Sequence, residues 1–85
     1  MSATAGTATH DDLLAVLRSL DALNERGRTP HFYRGGTPFL HFHGDGDGRT
    51  ADLRRGRDWE RLPAATPADR AALLGRVRDL LGIDG

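Results

Sequence analysis

Apolar residues recur at intervals of three or four positions in a segment near the start of the 85-residue chain. This spacing predicts a helix from Asp11 to about Arg26. Thr9 is a suitable N-cap, with Asp12 as the acidic partner of a capping box, and Gly27 is expected to end the helix. The apolar stripe consists of Leu13, Val16, Leu17, Leu20 and Leu23.

A second segment with the same period lies near the end of the chain and predicts a helix from Pro67 to about Leu81. Thr66 is its expected N-cap, Asp69 completes the capping box, and Gly82 provides the stop. Its stripe consists of Leu73, Leu74, Val77, Leu80 and Leu81. Because both helices are amphipathic, each must bury one face against another element.

The region between the helices contains all five aromatic residues and has the alternation and turn residues of a β-sheet. It predicts strands at His31–Arg34, Pro38–His43 and Arg49–Arg55, and a shorter fourth strand at Asp58–Leu62. Gly35-Gly36 predicts a tight hairpin, and the Gly-Asp-Gly-Asp-Gly run at 44–48 favours a turn over a calcium loop. The order α-β-β-β-(β)-α predicts an α+β two-layer sandwich. We expect an antiparallel sheet of three or four strands with both helices on one face.

The chain has room for one hydrophobic core. We therefore expect a single domain over residues 9–85. The small and polar residues 1–8 are expected to form a disordered N-terminal tail.

Strand alternation predicts which side chains share a face of the sheet. It directs Leu40 and Phe42 toward the helices. Matching them to the apolar residues of the third strand pairs His43 with Gly48, since a slip by one residue would bury Asp52. The opposite surface, which we call the open face, is expected to carry Phe32, Phe39, His41, His43, Thr50, Asp52 and Arg54.

The remaining aromatic and histidine positions complete this picture. The Gly35-Gly36 hairpin directs Tyr33 and His31 to the core side. Trp59 is expected to close one end of the core. His10, beside the first helix cap, is expected to be solvated.

Two histidines and a carboxylate on the open face are the chief candidates for chemistry. His41 and His43 lie two positions apart on one strand, so their side chains point the same way with Cβ atoms about 6.5–7 Å apart. Asp52 on the next strand is a candidate third metal ligand or an orienting partner, with zinc as the candidate ion. Such a site would suit a metal-dependent hydrolase with a metal-activated water. The histidines alternatively cover the sheet or meet a partner.

Composition excludes several classes of enzyme. The chain contains no Cys, which rules out disulfides, thiolate nucleophiles and Cys-type zinc sites. All twelve basic residues are Arg, so there is no lysine for a P-loop or a Schiff base. We assign no catalytic residue. With no signal peptide or membrane-spanning run in the sequence, we expect a cytoplasmic protein.

Charge is unevenly distributed although the net charge is zero. Residues 26–61 carry eight Arg against five acidic residues, a local charge of +3. Basic sheets with exposed aromatics bind single strands of nucleic acid, which is one alternative function. The excess is small beside that of strong nucleic-acid binders, so the sequence favours other partners.

The pattern from His31 to about Leu81 resembles a group of small bacterial proteins with a "PFLHFH" strand, an "ADL" strand and a "TPAxR" helix start. The matching positions are Pro38 to His43, Ala51 to Leu53 and Thr66 to Arg70. The "GGxxF" hairpin at Gly35 to Phe39 is also similar to that of MmcQ/YjbR-like proteins, which have a larger, DNA-binding-like fold. Neither resemblance implies a catalytic residue.

These features together favour a non-enzymatic binding or interaction module. The expected partner surface consists of Phe32, Phe39, His41, His43 and Arg54. Covering the two phenylalanines would stabilise so small a domain, so a second copy of the chain is one expected partner. The metal site formed by His41, His43 and Asp52 and the nucleic-acid surface remain the alternatives.

Overall fold

A computed structural model describes residues 7–27 and 31–82 of the chain. The chain forms two helices and a five-stranded antiparallel sheet. The strands lie in sequence order, and one helix precedes them in the chain while the other follows them. The helices are α1 (His10–Ser19) and α2 (Pro67–Leu81). The strands are β1 (Asn24–Arg26), β2 (His31–Arg34), β3 (Thr37–His43), β4 (Thr50–Arg55) and β5 (Asp58–Pro63). The predicted α+β class is confirmed, with one strand more than expected.

Both helices begin at the predicted capping boxes. The backbone N–H of Asp12 donates to the Thr9 hydroxyl, and that of Asp69 donates to the Thr66 hydroxyl, each over 3.0 Å. In both boxes the carboxylate accepts from the N-cap N–H in return. Gly82 ends α2 in the left-handed conformation, as predicted.

The first helix is shorter than predicted. It ends at Ser19, Leu20 is extended, and β1 occupies the stretch expected to complete the helix. Leu23 is nevertheless buried, because the turn after Leu20 returns it to the core. Periodicity alone could not distinguish that turn from a further helical turn. Pairing with β2 supplies the backbone hydrogen bonds of β1.

The core lies between the helices and one face of the sheet. Leu13, Leu14 and Leu17 of α1 are buried with Leu73, Leu74 and Val77 of α2, and the sheet contributes Phe32, Phe39, Leu40, Phe42, Ala51 and Leu53. Both helices therefore cover the same face, as predicted. Neither helix in the described part of the chain is long and apolar enough to cross a membrane.

A bulge between β2 and β3 overturns the predicted placement of two phenylalanines. Phe32 pairs with Leu40 while Tyr33 pairs with Pro38, which leaves Phe39 as an extra residue on β3. The extra residue shifts the alternation by one position, so Phe39 and Leu40 are both buried. Phe32 is only 1% exposed and belongs to the core rather than to the open face.

The pairing of β3 with β4 also differs from the predicted register. His43 lies opposite Thr50, two residues beyond the expected Gly48. A shift by two positions keeps each side chain on its predicted face. The loop is longer because Gly46–Gly48 forms a 3₁₀ turn of its own, in which the Gly48 N–H donates to the Asp45 carbonyl.

Part of the expected N-terminal tail falls within the described residues. Thr7 is buried, and the carbonyls of Thr7 and Ala8 accept hydrogen bonds from Arg70. These two residues are therefore held against α2 rather than free. Residues 1–6, to which the same prediction applied, lie outside the described ranges.

Candidate metal centre

The register of β3 and β4 brings the three predicted ligands together on the open face. His41 lies directly opposite Asp52, and His43 follows two positions along β3. The Nε2 atoms of His43 and His41 lie 2.9 Å and 3.8 Å from the same Asp52 oxygen, Oδ2. The two imidazole rings are 4.6 Å apart between centroids. Two strands of one sheet therefore direct three donor side chains to one point.

Arg61, on β5, is the main partner of the carboxylate. It lies opposite Asp52 in the sheet. Its Nε donates to Oδ1 over 2.9 Å, and its Nη2 donates to Oδ2 over 3.1 Å. These hydrogen bonds, together with that to His43, lower the pKa of Asp52 although its partial burial opposes them. The carboxylate is therefore ionised at neutral pH.

His41 is the more enclosed of the two histidines. Its ring makes edge-to-face contacts with His31 on β2 and Trp59 on β5, with centroids 5.4 Å and 5.0 Å away. Burial is the main cause that lowers the pKa of His41, and the neighbouring His43 adds to it. The neutral imidazole that a metal ion requires is thus the favoured form at neutral pH.

The three side chains meet the first geometric requirement of a shared cation site. One donor atom from each of His41, His43 and Asp52 lies within 4.8 Å of the others. In residues 7–27 and 31–82, no other group of three His, Asp or Glu side chains is close enough to do the same. The loop at 44–48 forms the predicted turn, with a 3₁₀ segment at Gly46–Gly48.

The open face contains residues that the sequence analysis placed elsewhere. His31 and Tyr33 were expected on the core side. His31 instead pairs with His41 and is exposed on the open face, and Tyr33 is only half-buried because Phe32 between them points into the core. Trp59 was expected to close the core, yet it is 41% exposed and lies opposite Arg54. The sequence analysis did predict the fourth strand. Strand alternation puts Trp59 on the same face as Arg61, two positions away, and this would have placed Trp59 on the open face.

The predicted partner surface is only partly present. His41, His43 and Arg54 lie on the open face, and the Arg54 guanidinium is 5.7 Å from the centroid of the Trp59 ring. Phe32 and Phe39 are in the core, so they do not supply the apolar area on the open face that favoured a second copy of the chain. What remains is a surface of histidine, arginine and isolated aromatic side chains.

A search of protein-family models, curated proteins and solved structures found nothing that matches this chain. The function must therefore be argued from the geometry of the open face.

Proposed function

We propose that the protein binds a divalent transition-metal ion through His41, His43 and Asp52. The observation that carries this proposal is the convergence of both imidazole Nε2 atoms on one oxygen of Asp52. Two imidazoles and one carboxylate are a ligand set that zinc and related first-row ions accept.

The elements that hold these ligands support the proposal. All three come from paired strands rather than from loops, so the backbone fixes their relative positions before an ion arrives. Asp52 is anchored from the opposite side by the Oδ1 bond to Arg61, in the way that outer partners orient metal-binding carboxylates. Asp52 and His41 also favour the protonation states that bind metals.

The same surface favours binding over catalysis. The cavity beside His41, about 150 Å³ and lined also by His31, Tyr33 and Pro38, is smaller than the roughly 300 Å³ at which ligand pockets begin. The His43 side chain is 44% exposed. A substrate at this site would remain largely in water. We therefore propose a metal-binding module and assign it no reaction.

Zinc titration of the chelator-stripped protein tests the proposal. Isothermal titration calorimetry should show one ion per chain, and His43→Ala and Asp52→Asn should each weaken binding at least tenfold, since each removes a donor. His31→Ala is the matched control because its ring lies on the same face and touches His41 but is outside the triad. Its affinity should stay within about threefold of the wild type, because His31 meets His41 through a ring contact and is an exposed residue whose removal should change free energies by at most about 0.5 kcal/mol.

Circular dichroism would verify that each variant is folded. Absence of zinc binding by the wild type would overturn the proposal. Equal losses in His31→Ala and His43→Ala would also overturn it, because binding would then be a general property of the histidine-rich face.

A further inference from the structure

We infer that the metal-loaded site also binds a small oxyanion, held between the metal ion and the guanidinium of Arg61. The inference rests on the proposed metal site and names a ligand class for it. It arises from the different roles of the two Asp52 oxygens.

Oδ1 and Oδ2 of Asp52 have different neighbours. Oδ1 accepts from Arg61 Nε over 2.9 Å. Oδ2 accepts from Arg61 Nη2 over 3.1 Å and also faces the Nε2 atoms of His43 and His41. An ion shared with the histidines would therefore take Oδ2. A carboxylate oxygen has two lone pairs, so the ion would replace the His43 hydrogen bond at Oδ2, and both hydrogen bonds from Arg61 would stay in place.

The guanidinium of Arg61 would therefore remain beside the ion. Its hydrogen bonds to Asp52 use two of its five N–H groups, and the Arg61 side chain is 65% exposed, so the other groups are open to a ligand from solution. The Nη atoms thus have N–H groups for which the described residues supply no acceptor. A planar guanidinium of this kind is well suited to phosphate and carboxylate oxygens.

Charge favours the same ligand. The triad would hold a divalent cation with one carboxylate and two neutral imidazoles, and Arg61 adds a further positive charge. The set then has a net charge of about +2 on an exposed surface. The Arg54 guanidinium lies over Trp59, whose ring touches His41, and adds positive potential nearby. Three protein ligands leave a coordination position open for an anion.

Without an oxyanion, Arg61 would only orient Asp52 for the metal. The two situations predict opposite behaviour in the metal-loaded protein. An orienting group can be removed with no loss of anion binding, whereas a bridging Arg61 is required for it. By linkage, metal and anion must also strengthen each other's binding by the same factor.

The test uses the full chain loaded with Co²⁺, whose visible spectrum reports on coordinated anions, and inorganic phosphate as the probe. Phosphate should produce a saturable spectral change in the wild type. Arg61→Ala should weaken the apparent phosphate affinity at least tenfold, and Arg61→Lys should restore it in part. Arg57→Ala, in the exposed turn between β4 and β5, is the matched control and should behave as the wild type.

A parallel titration with acetate distinguishes a carboxylate from a phosphate preference. Co²⁺ binding without any spectral response to phosphate or acetate would overturn the oxyanion site and leave the metal site standing. Equal phosphate affinity in Arg61→Ala and the wild type would overturn the role of Arg61. Failure of Co²⁺ and Zn²⁺ to bind at all would instead overturn the proposed function, and the oxyanion site with it.

Discussion

His10 shows how one side chain links packing to pH. It was expected to be solvated, but its ring packs edge-to-face against Phe42 of the sheet with centroids 4.9 Å apart. Its Nδ1 is buried, with no hydrogen-bond partner among the described residues. Burial is the main cause that lowers the pKa of His10, and the nearby Arg49 adds to it. The folded protein therefore favours the neutral ring.

This environment predicts a loss of stability in mild acid. The folded-state pKa of His10 lies below its ordinary value of 6.5. The neutral ring therefore makes its full contribution to the free energy of unfolding above that pH. It is lost as the pH falls from 6.5 through the lowered pKa, since the unfolded chain binds the proton more tightly. His10→Phe keeps a ring against Phe42 and removes the titrating nitrogens. In urea unfolding monitored by circular dichroism, the free energy of unfolding should fall less for the variant than for the wild type as the pH is lowered.

Both proteins would be measured with a chelator present, so that metal binding does not enter the comparison. His41 titrates in the same window in both, because burial lowers its pKa too, and the difference between the two curves isolates His10. Parallel curves for the wild type and His10→Phe between pH 7 and pH 5 would contradict the assignment.

At the scale of the elements, the features with local causes could be predicted from the sequence. Both helix starts follow from a Thr and an Asp three positions apart, and the end of α2 follows from Gly82. The histidine and aspartate positions on the open face follow from strand alternation, which a shift by two residues leaves unchanged. The candidate site was therefore predictable even though the exact pairing was not.

The features that were missed depend on contacts distant in the sequence. The bulge at Phe39 buries an additional aromatic side chain, and nothing in the local alternation marks it. The end of α1 depends on the pairing of β1 with β2, and the Arg18–Glu25 ion pair, at 2.7 Å, links the helix to that strand. His31 joins the open face because β2 is placed by the same bulged pairing.

The loop between β3 and β4 provides a test at this scale. Gly44 has a φ of +71°, and a Cβ there would lie 2.8 Å from the carbonyl oxygen of Gly48. Gly44→Ala should therefore lower the free energy of unfolding by about 2 kcal/mol, through left-handed strain and a backbone clash. Gly48→Ala is the matched control, since a Cβ there meets nothing within 4 Å.

Urea unfolding of the three proteins, fitted with a common slope, measures the difference. Gly48→Ala should stay within about 0.5 kcal/mol of the wild type. Because Gly44 adjoins His43, Gly44→Ala should also weaken zinc binding if the loop helps to position that ligand. Equal stabilities of the two glycine variants would show that the close approach of Gly44 to Gly48 does not prevent the loop from accepting a side chain at position 44.

At the scale of the whole molecule, the two faces of the sheet have different roles. The helix layer and the inner face of the sheet form the core, and the open face is left to carry the polar site. Metal binding should therefore add to stability without rearranging the core. At a free zinc concentration 100 times the Kd, linkage raises the free energy of unfolding by about 2.7 kcal/mol.

The beginning of the described chain is attached to the last helix through Arg70. This residue is only 6% exposed, and its guanidinium donates to three backbone carbonyls. Its Nε donates to the Thr7 carbonyl over 2.9 Å, Nη2 donates to the Ala8 carbonyl over 2.7 Å, and Nη1 donates to the Ala65 carbonyl over 3.1 Å. One guanidinium thus joins the residue preceding the N-cap of α2 to the two residues preceding the N-cap of α1.

Replacing Arg70 should therefore affect the stability of the entire domain rather than one helix end. Arg70→Met keeps much of the aliphatic volume but removes three charge-assisted hydrogen bonds from a buried residue. We expect a loss of about 2–3 kcal/mol in the free energy of unfolding, in a single cooperative transition. Arg57→Met, on an exposed turn, should change it by less than about 0.5 kcal/mol.

Native-state hydrogen exchange distinguishes a global role of Arg70 from a local one. If Arg70 connects the two ends of the domain, Arg70→Met should speed exchange of the most protected sheet amides, which open only on global unfolding. Faster exchange confined to the first turn of α1, with unchanged protection in β3 and β4, would show that the contact merely holds residues 7 and 8. The zinc affinity of the folded variant should be unchanged, because the triad lies on the opposite side of the sheet from both helices.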